Sequence, residues 1–238
     1  MIEQLEQLET LASILTKEVS SKPQADQIEW YGQVTSKKNI VKYLMRLVSV
    51  EQISTPQFKL GILCIDSISD MIVSWKDPGS ISQLVDQFVS VENFWTSVHT
   101  AATSVDSGAS TRCHCFRLML NAYNSSNSAI PNRIFSDETI SSILNVLSDH
   151  QSSSISRNRQ NLQSATKFLL LVFEKHPARF QKHLLLNPSA RTPLVEVCSQ
   201  FIVAADAPSR ENEAIKRLAE SLVENSNDVY TPLALMIF

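Results

Sequence analysis

Two aspartates, Asp66 and Asp70, lie four residues apart in one of the most apolar stretches of the chain. On a helix, residues at this spacing share a face. Two facing carboxylates can shift one another's pKa and then serve as an acid and a base. Acids on an otherwise apolar helix also mark the strip that faces solvent or a partner. We favour this second interpretation and expect both side chains to be accessible contact residues.

The adjacent residues Cys113, His114 and Cys115 carry metal-binding groups. Zinc requires thiolates and imidazoles that converge on one point, normally from four ligands. Successive helical residues diverge by about 100°, so the two cysteines would point to different faces. No second Cys/His pair at zinc-finger spacing follows. The pattern predicts two packed cysteines with a histidine on the surface or in a groove, and we expect no metal and no cofactor.

The short motifs that identify several enzyme classes do not occur in the chain. There is no His-Glu-x-x-His, no Gly-x-Ser-x-Gly and no phosphate-binding Gly-x-x-x-x-Gly-Lys. We therefore predict a protein that is not an enzyme and takes no small-molecule substrate. The alternative is an enzyme with an unrecognised carboxylate site, which would need Asp66, Asp70 and a histidine to converge in a closed cleft.

Positive charge is concentrated between Asp149 and Glu196, where seven cations face one acid, Glu174. Such a patch could bind an acidic or phosphorylated protein segment, and a solvated helix face is the alternative. The formal net charge of −3 gives no general attraction to nucleic acid or to anionic membranes. The serine-rich segment 152–156 would be a flexible loop or a phosphorylation loop beside these cations. The cations are Arg157, Arg159, Lys167, Lys175, Arg179, Lys182 and Arg191.

Cysteine usage and the first residues indicate the compartment. The four cysteines include no Cys-x-x-Cys pair and lie mostly in apolar runs, as is typical of free buried thiols in a reducing environment. The chain starts with acidic residues, whereas a signal peptide starts with basic ones. No apolar stretch approaches the roughly 20 residues that span a bilayer. We expect a cytoplasmic or nuclear protein without a membrane span.

Apolar residues recur at intervals of three and four almost throughout, which predicts amphipathic helices. Only four glycines occur, far below the usual share of about 7%, and this favours an all-α protein over one with hairpins or nucleotide-binding loops. Residues 24–36 are predicted to be a loop. The predicted helices cover about 2–15, 37–50, 56–74, 80–89, 91–104, 110–124, 137–148, 157–175, 177–186, 191–205 and 209–224.

The longer helices are spaced regularly. They are predicted to begin near residues 56, 110, 159 and 209, at intervals of 54, 49 and 50, and each follows a shorter apolar helix. Leu60–Val73, Ala165–Phe173 and Ala214–Val223 share an apolar rhythm with small residues at close-packing points. This organisation resembles that of armadillo and HEAT repeats over residues 37–226. The resemblance implies an all-α solenoid of about four stacked helix pairs, and a compact non-repeating helical bundle is the alternative.

The predicted domain organisation has three parts. Residues 1–36 form an N-terminal helix and loop, and residues 37–226 form the helical-repeat domain. Residues 227–238 are an apolar tail that packs on the domain, is covered by a partner, or begins an element of a longer protein, since leaving it in water is unfavourable.

The resemblance implies a non-enzymatic scaffold or adaptor that presents a groove to a protein partner, with the later helices of each unit lining the groove. The rival hypothesis is a regulatory helical domain that acts on a switch protein, such as a small GTPase, an actin regulator or a chaperone. The residues expected to contact a partner are Asp66, Asp70, Arg117, Asn121, Arg157, Arg159, Gln163 and Lys167.

Overall fold

The computed structural model describes residues 2–37, 39–91, 93–126 and 134–149, together with 165, 167–173, 175–176, 178–180 and 182. Every regular element in these ranges is a helix, so the predicted all-α class is confirmed for the part of the chain that is described. The chain divides into two compact units, residues 1–134 and 135–238. None of the described helices is both long enough and apolar enough to cross a membrane.

Unit 1 contains seven described α-helices. Helix α1, Ile2–Ser13, continues into a π-helical turn at Ile14–Val19, and a 3₁₀ turn, Val105–Ser107, precedes the last helix. The others are α2 (Gln24–Lys37), α3 (Ile40–Val50), α4 (Pro56–Trp75), α5 (Pro78–Ser90), α6 (Phe94–Thr103) and α7 (Ala109–Ser125).

The starts of α4 and α5 follow directly from the local sequence. Thr55 Oγ1 accepts a hydrogen bond from the Phe58 amide at 3.2 Å, and a proline occupies the first helical position. Asp77 and Pro78 repeat this arrangement at α5, where the carboxylate accepts from the Ser80 amide at 2.8 Å. These contacts satisfy amides that have no partner within the helix. The start predicted at Thr55-Pro56 is therefore confirmed.

Helix α4 is the centre of unit 1. It packs against α1, α3 and α7, while α6 packs against both α3 and α7. Eleven of its twenty residues are buried, as expected for a helix that is apolar on nearly all sides. Where α3 crosses it, Gly61 brings the two backbones close together, because a Cβ at this position would lie 2.9 Å from Val48 Cγ2.

The loop predicted for residues 24–36 is wrong, because these residues form α2. Of its described side chains, 24–34, only Tyr31 is buried. The helix therefore has no broad apolar stripe from which periodicity could have predicted it.

In unit 2, α8 spans Asp137–Asp149, close to the prediction of 137–148. The predicted start is also confirmed, since Ser136 Oγ accepts a hydrogen bond from the Thr139 amide at 3.4 Å. Helical residues follow at 167–173 and 178–180. Phe135 stacks on Phe168 with ring centroids 6.1 Å apart, and its carbonyl accepts a hydrogen bond from Arg179 Nη1.

Several predictions fall outside the described residues. They include the serine segment 152–156, the helices predicted at 191–205 and 209–224, the boundary at 226 and the tail 227–238. These stay predictions.

Candidate functional site

The most strongly polar contact in the interior of unit 1 joins α4 to α7. Asp66 on α4 is fully buried, and its Oδ2 lies 2.7 Å from Nδ1 of His114. Arg117, one turn further along α7, approaches the same carboxylate with two nitrogens. Its Nε lies 2.9 Å from Oδ1, and its Nη2 lies 2.5 Å from Oδ2. We call Asp66, His114, Arg117 and the nearby Asp70 the Asp66 cluster.

Local periodicity explains why these side chains meet. His114 and Arg117 are three residues apart on α7, so they share one face of that helix. Asp66 lies near the middle of α4, the helix against which α7 packs. Burying a carboxylate is costly unless hydrogen-bond donors surround it; Arg117 provides a charged donor and His114 a second donor.

The electrostatics of Arg117 favour its charged form. Burial lowers the pKa of its guanidinium, but the charge and hydrogen bonds of Asp66, together with the charge of Asp70 and a smaller contribution from Cys113, hold that pKa above its usual value. A carboxylate only accepts hydrogen bonds, so Nδ1 of His114 donates to it. The oxygens of the Asp66 carboxylate are therefore hydrogen-bonded to His114 and Arg117, and the carboxylate holds the Arg117 side chain in place.

Asp70 occupies the outer edge of the cluster. Its side chain is 55% exposed, and its Oδ2 is 3.9 Å from Nη1 of Arg117, which is too long for a hydrogen bond. The positions three and four residues away on α4 carry no basic side chain. Asp70 thus keeps most of its capacity to accept hydrogen bonds from another molecule.

Over their middle turns, helices α4 and α7 each leave only a narrow line of accessible side chains. Between Gly61 and Ile72, the residues that are not buried are Leu63, Ser67 and Asp70. Between Thr111 and Ala122, they are His114, Arg117 and Leu120. We call these six residues the α4–α7 strip. The approach of Arg117 to Asp70 places the two lines side by side at that point.

The Ser69 hydroxyl on α4 and the Asn121 side-chain nitrogen on α7 are also buried, and neither has a hydrogen-bond partner. Unsatisfied buried groups of this kind are uncommon in folded proteins and cost stability. They do not lie on the accessible strip.

The structure corrects two predicted contact residues. Asp66 was expected on an accessible strip, but α7 covers it and its carboxylate is paired internally. Asn121 is likewise buried. Asp70 and Arg117 do remain accessible, at 55% and 25% of their side chains, and Lys167 in unit 2 is half-buried. Arg157, Arg159 and Gln163 lie outside the described residues.

Sequence reasoning missed His114 as the partner of Asp66. Its spacing from Arg117 was a usable signal, since two potential cations on one face of an apolar helix need a counter-charge. The prediction of packed cysteines beside it is confirmed, because Cys113 and Cys115 are both buried. In the described ranges, no three His, Cys, Asp or Glu side chains are grouped so as to hold a metal ion.

The thiols of unit 1 are expected to be unreactive in the folded protein. Burial raises the pKa of Cys64 and of Cys113 to about 12 and raises that of Cys115 as well. Since the thiolate is the nucleophile, alkylation by iodoacetamide at pH 8 should be much slower at these residues than in urea-denatured protein. Mass spectrometry of peptides after timed alkylation measures this. Equal rates in folded and denatured protein would contradict the described burial.

The same shifts predict the effect of alkaline pH on stability. The unfolded thiols ionise near their ordinary pKa of 9, whereas folded Cys64 and Cys113 ionise near 12. The stability that these groups contribute is therefore fully present below pH 9 and is lost as the pH rises toward 12.

Part of the predicted positive patch lies among the described residues of unit 2. Lys175, Arg179 and Lys182 are exposed within eight residues of one another. Arg179 is fixed in position by its hydrogen bond to the Phe135 carbonyl.

Comparison with known proteins found no matching family, no matching curated protein and no matching solved structure.

Proposed function

We propose that this chain is a non-enzymatic protein-binding scaffold, with the α4–α7 strip as a contact surface. The observation that carries the proposal is the exposed Asp70 beside Arg117, whose guanidinium is held from below by a buried carboxylate. Charged groups that are held rigidly before binding lose little conformational entropy when a partner arrives. Asp70 would accept hydrogen bonds from a basic or amide group of the partner.

We further propose that the helices stack as a solenoid similar to armadillo and HEAT repeats. Support comes from the packing within unit 1, where α3 lies against α4 and α6 against α7, and where α3 contacts α6 and α4 contacts α7. The corresponding helices begin 54 and 53 residues apart. Each helix pair thus stacks on a pair of the same kind, which is the arrangement that repeat proteins use to bury their apolar faces.

The occupied state of the Asp66 carboxylate also supports a binding role over an enzymatic one. A general base must reach the proton that it removes, and Asp66 is covered by α7 with its oxygens bonded to His114 and Arg117. The cluster is better suited to position Arg117 than to transfer protons.

The test is affinity capture from cell lysate with the full chain as bait. Asp70→Lys should reduce the recovery of one or more bound proteins by roughly tenfold, as expected when a central interface contact is lost. Asp86→Lys is the matched control, because Asp86 is an exposed acid on α5 and is not one of the residues of the strip. A capture profile that is the same for Asp70→Lys and for the wild type would exclude the strip as the contact surface.

A second arm of this experiment addresses the basic residues of unit 2, which we propose bind an acidic or phosphorylated segment of the partner. The bait carries Lys175→Glu and Lys182→Glu, two exposed positions. Recovery should fall, and raising the salt concentration should weaken wild-type recovery in the same way. Salt-independent capture that survives both reversals would exclude this part of the proposal.

A further inference from the structure

Helix α2 buries unusually little of its surface. Tyr31 is 5% exposed, but the other described side chains of the helix are half-buried or exposed, including Ile28 at 43%. A helix in a globular protein gains most of its stability by packing an apolar face against its neighbours. Among the described side chains of α2, only that of Tyr31 is buried, while Trp30 and Val34 are half-buried.

Three side chains of α2 contact one residue, Trp75, the last residue of α4. The Tyr31 ring packs edge-on against the Trp75 ring, with centroids 5.7 Å apart. The indole Nε1 of Trp75 donates a hydrogen bond to Gln27 Oε1 at 3.0 Å. The Gln24 side chain donates a longer one, 3.4 Å, to the Trp75 carbonyl. Helix α2 also touches α3 and the π-helical turn.

The rest of unit 1 is held very differently. Helix α4 has eleven buried residues and packs against α1, α3, α5 and α7, so it can exchange its amide hydrogens only when much of the unit unfolds. Proteins open in separate cooperative segments, and segments with few buried apolar contacts open first. The contrast between α2 and α4 places them in different segments.

We propose that α2 is a latch that opens while the rest of unit 1 stays folded, and that its opening uncovers Trp75. With α2 in place, Trp75 is 6% exposed. Trp75 follows Asp70 by five residues, about 140° around α4, so opening would expose an aromatic surface on another side of this helix from Asp70. The latch does not depend on the proposed scaffold function, because it follows from the contacts of α2 alone.

The test is hydrogen exchange of the full chain, followed by mass spectrometry. In the wild type, the slowest amides of residues 27–34 should be less protected than the slowest amides of residues 62–72 by roughly a hundredfold or more. Co-exchange of the two segments would overturn the proposal, since it would mean that α2 opens only in global unfolding.

Two variants change the latch in opposite directions. Tyr31→Ala removes the buried ring and should accelerate exchange in residues 27–34 by roughly tenfold to a hundredfold, while residues 62–72 stay the better-protected segment. Gly32→Ala adds a methyl group that meets nothing within 4 Å and favours the helix, so it should slow the exchange of α2 by about two- to fivefold. Exchange in residues 27–34 that Tyr31→Ala does not accelerate, or that Gly32→Ala does not slow, would count against an independent latch.

Discussion

Asp66→Ala is expected to lower the free energy of unfolding of unit 1 by about 3–5 kcal/mol. The substitution removes the buried carboxylate and leaves the guanidinium of Arg117, which is 25% exposed, without its main counter-charge. It also removes the acceptor for His114 Nδ1. Urea denaturation followed by tryptophan fluorescence measures the effect. All three tryptophans, Trp30, Trp75 and Trp95, belong to unit 1, so the signal reports on that unit in the full chain.

Asp70→Ala is the matched control for this prediction. Asp70 is on the same helix and near the same arginine, but it is exposed and 3.9 Å from its nearest cation. Exposed ion pairs contribute about 0–1 kcal/mol, so this variant should unfold at nearly the wild-type urea concentration. If Asp66→Ala and Asp70→Ala lowered the free energy of unfolding by similar amounts, burial would not determine how much each aspartate contributes to stability.

A double variant distinguishes the effect on stability of removing one member of the Asp66–Arg117 ion pair from the effect of removing both members. Asp66→Leu combined with Arg117→Met replaces both charges with apolar side chains of comparable size. Removing one member of a buried ion pair is costly, whereas replacing both members is often neutral or stabilising. The double variant should therefore recover most of the stability lost in Asp66→Ala. If the double variant is less stable than Asp66→Ala, the ion pair stabilises the folded protein by more than the cost of burying its two charges.

Gly61→Leu is expected to destabilise unit 1 by about 3 kcal/mol, the upper end of the usual cost of overpacking a core. Even the Cβ of a new side chain would lie 2.9 Å from Val48 Cγ2. Val48 is fully buried on α3 and is branched at Cβ, so it has little freedom to move aside. The same urea titration measures the change, and Gly61→Ala should give a smaller loss, because alanine's helix propensity offsets about 1 kcal/mol of the strain.

Gly32→Ala is the control that separates close packing from backbone effects. Gly32 also lies within a helix, but a Cβ there would meet no atom within 4 Å. This variant should raise the free energy of unfolding by roughly 0.5–1 kcal/mol. If Gly61→Leu were tolerated as well as Gly32→Ala, α3 and α4 would not approach as closely as described.

The sequence predicted those elements whose signals are local. Thr55 and Pro56 specify the start of α4 through a side-chain cap and a fixed φ, and both act within one turn. Helix α2 was missed because its main anchor is the contact with Trp75, about fifty residues further along the chain. A contact of that kind leaves no periodic pattern in the helix itself.

The candidate site was predicted in part for the same reason. Spacing placed Asp66 and Asp70 on one face of a helix, and their proximity to the same arginine agrees with that. Spacing could not distinguish which of the two would be covered, because this depends on the position at which α7 packs against α4. One aspartate is consequently internal and the other is accessible, although the sequence treats them alike.

The buried pair between Asp66 and Arg117 also has a consequence for folding specificity. Apolar contacts between two helices are non-directional, and a slip of one turn, about 5.4 Å, can replace one set of them with another. The same slip would separate the carboxylate from both α7 donors and leave charges buried without partners. A misaligned packing of α4 and α7 therefore costs far more free energy than it would if only apolar contacts joined the two helices. The buried pair thus favours a single alignment of the helix pair.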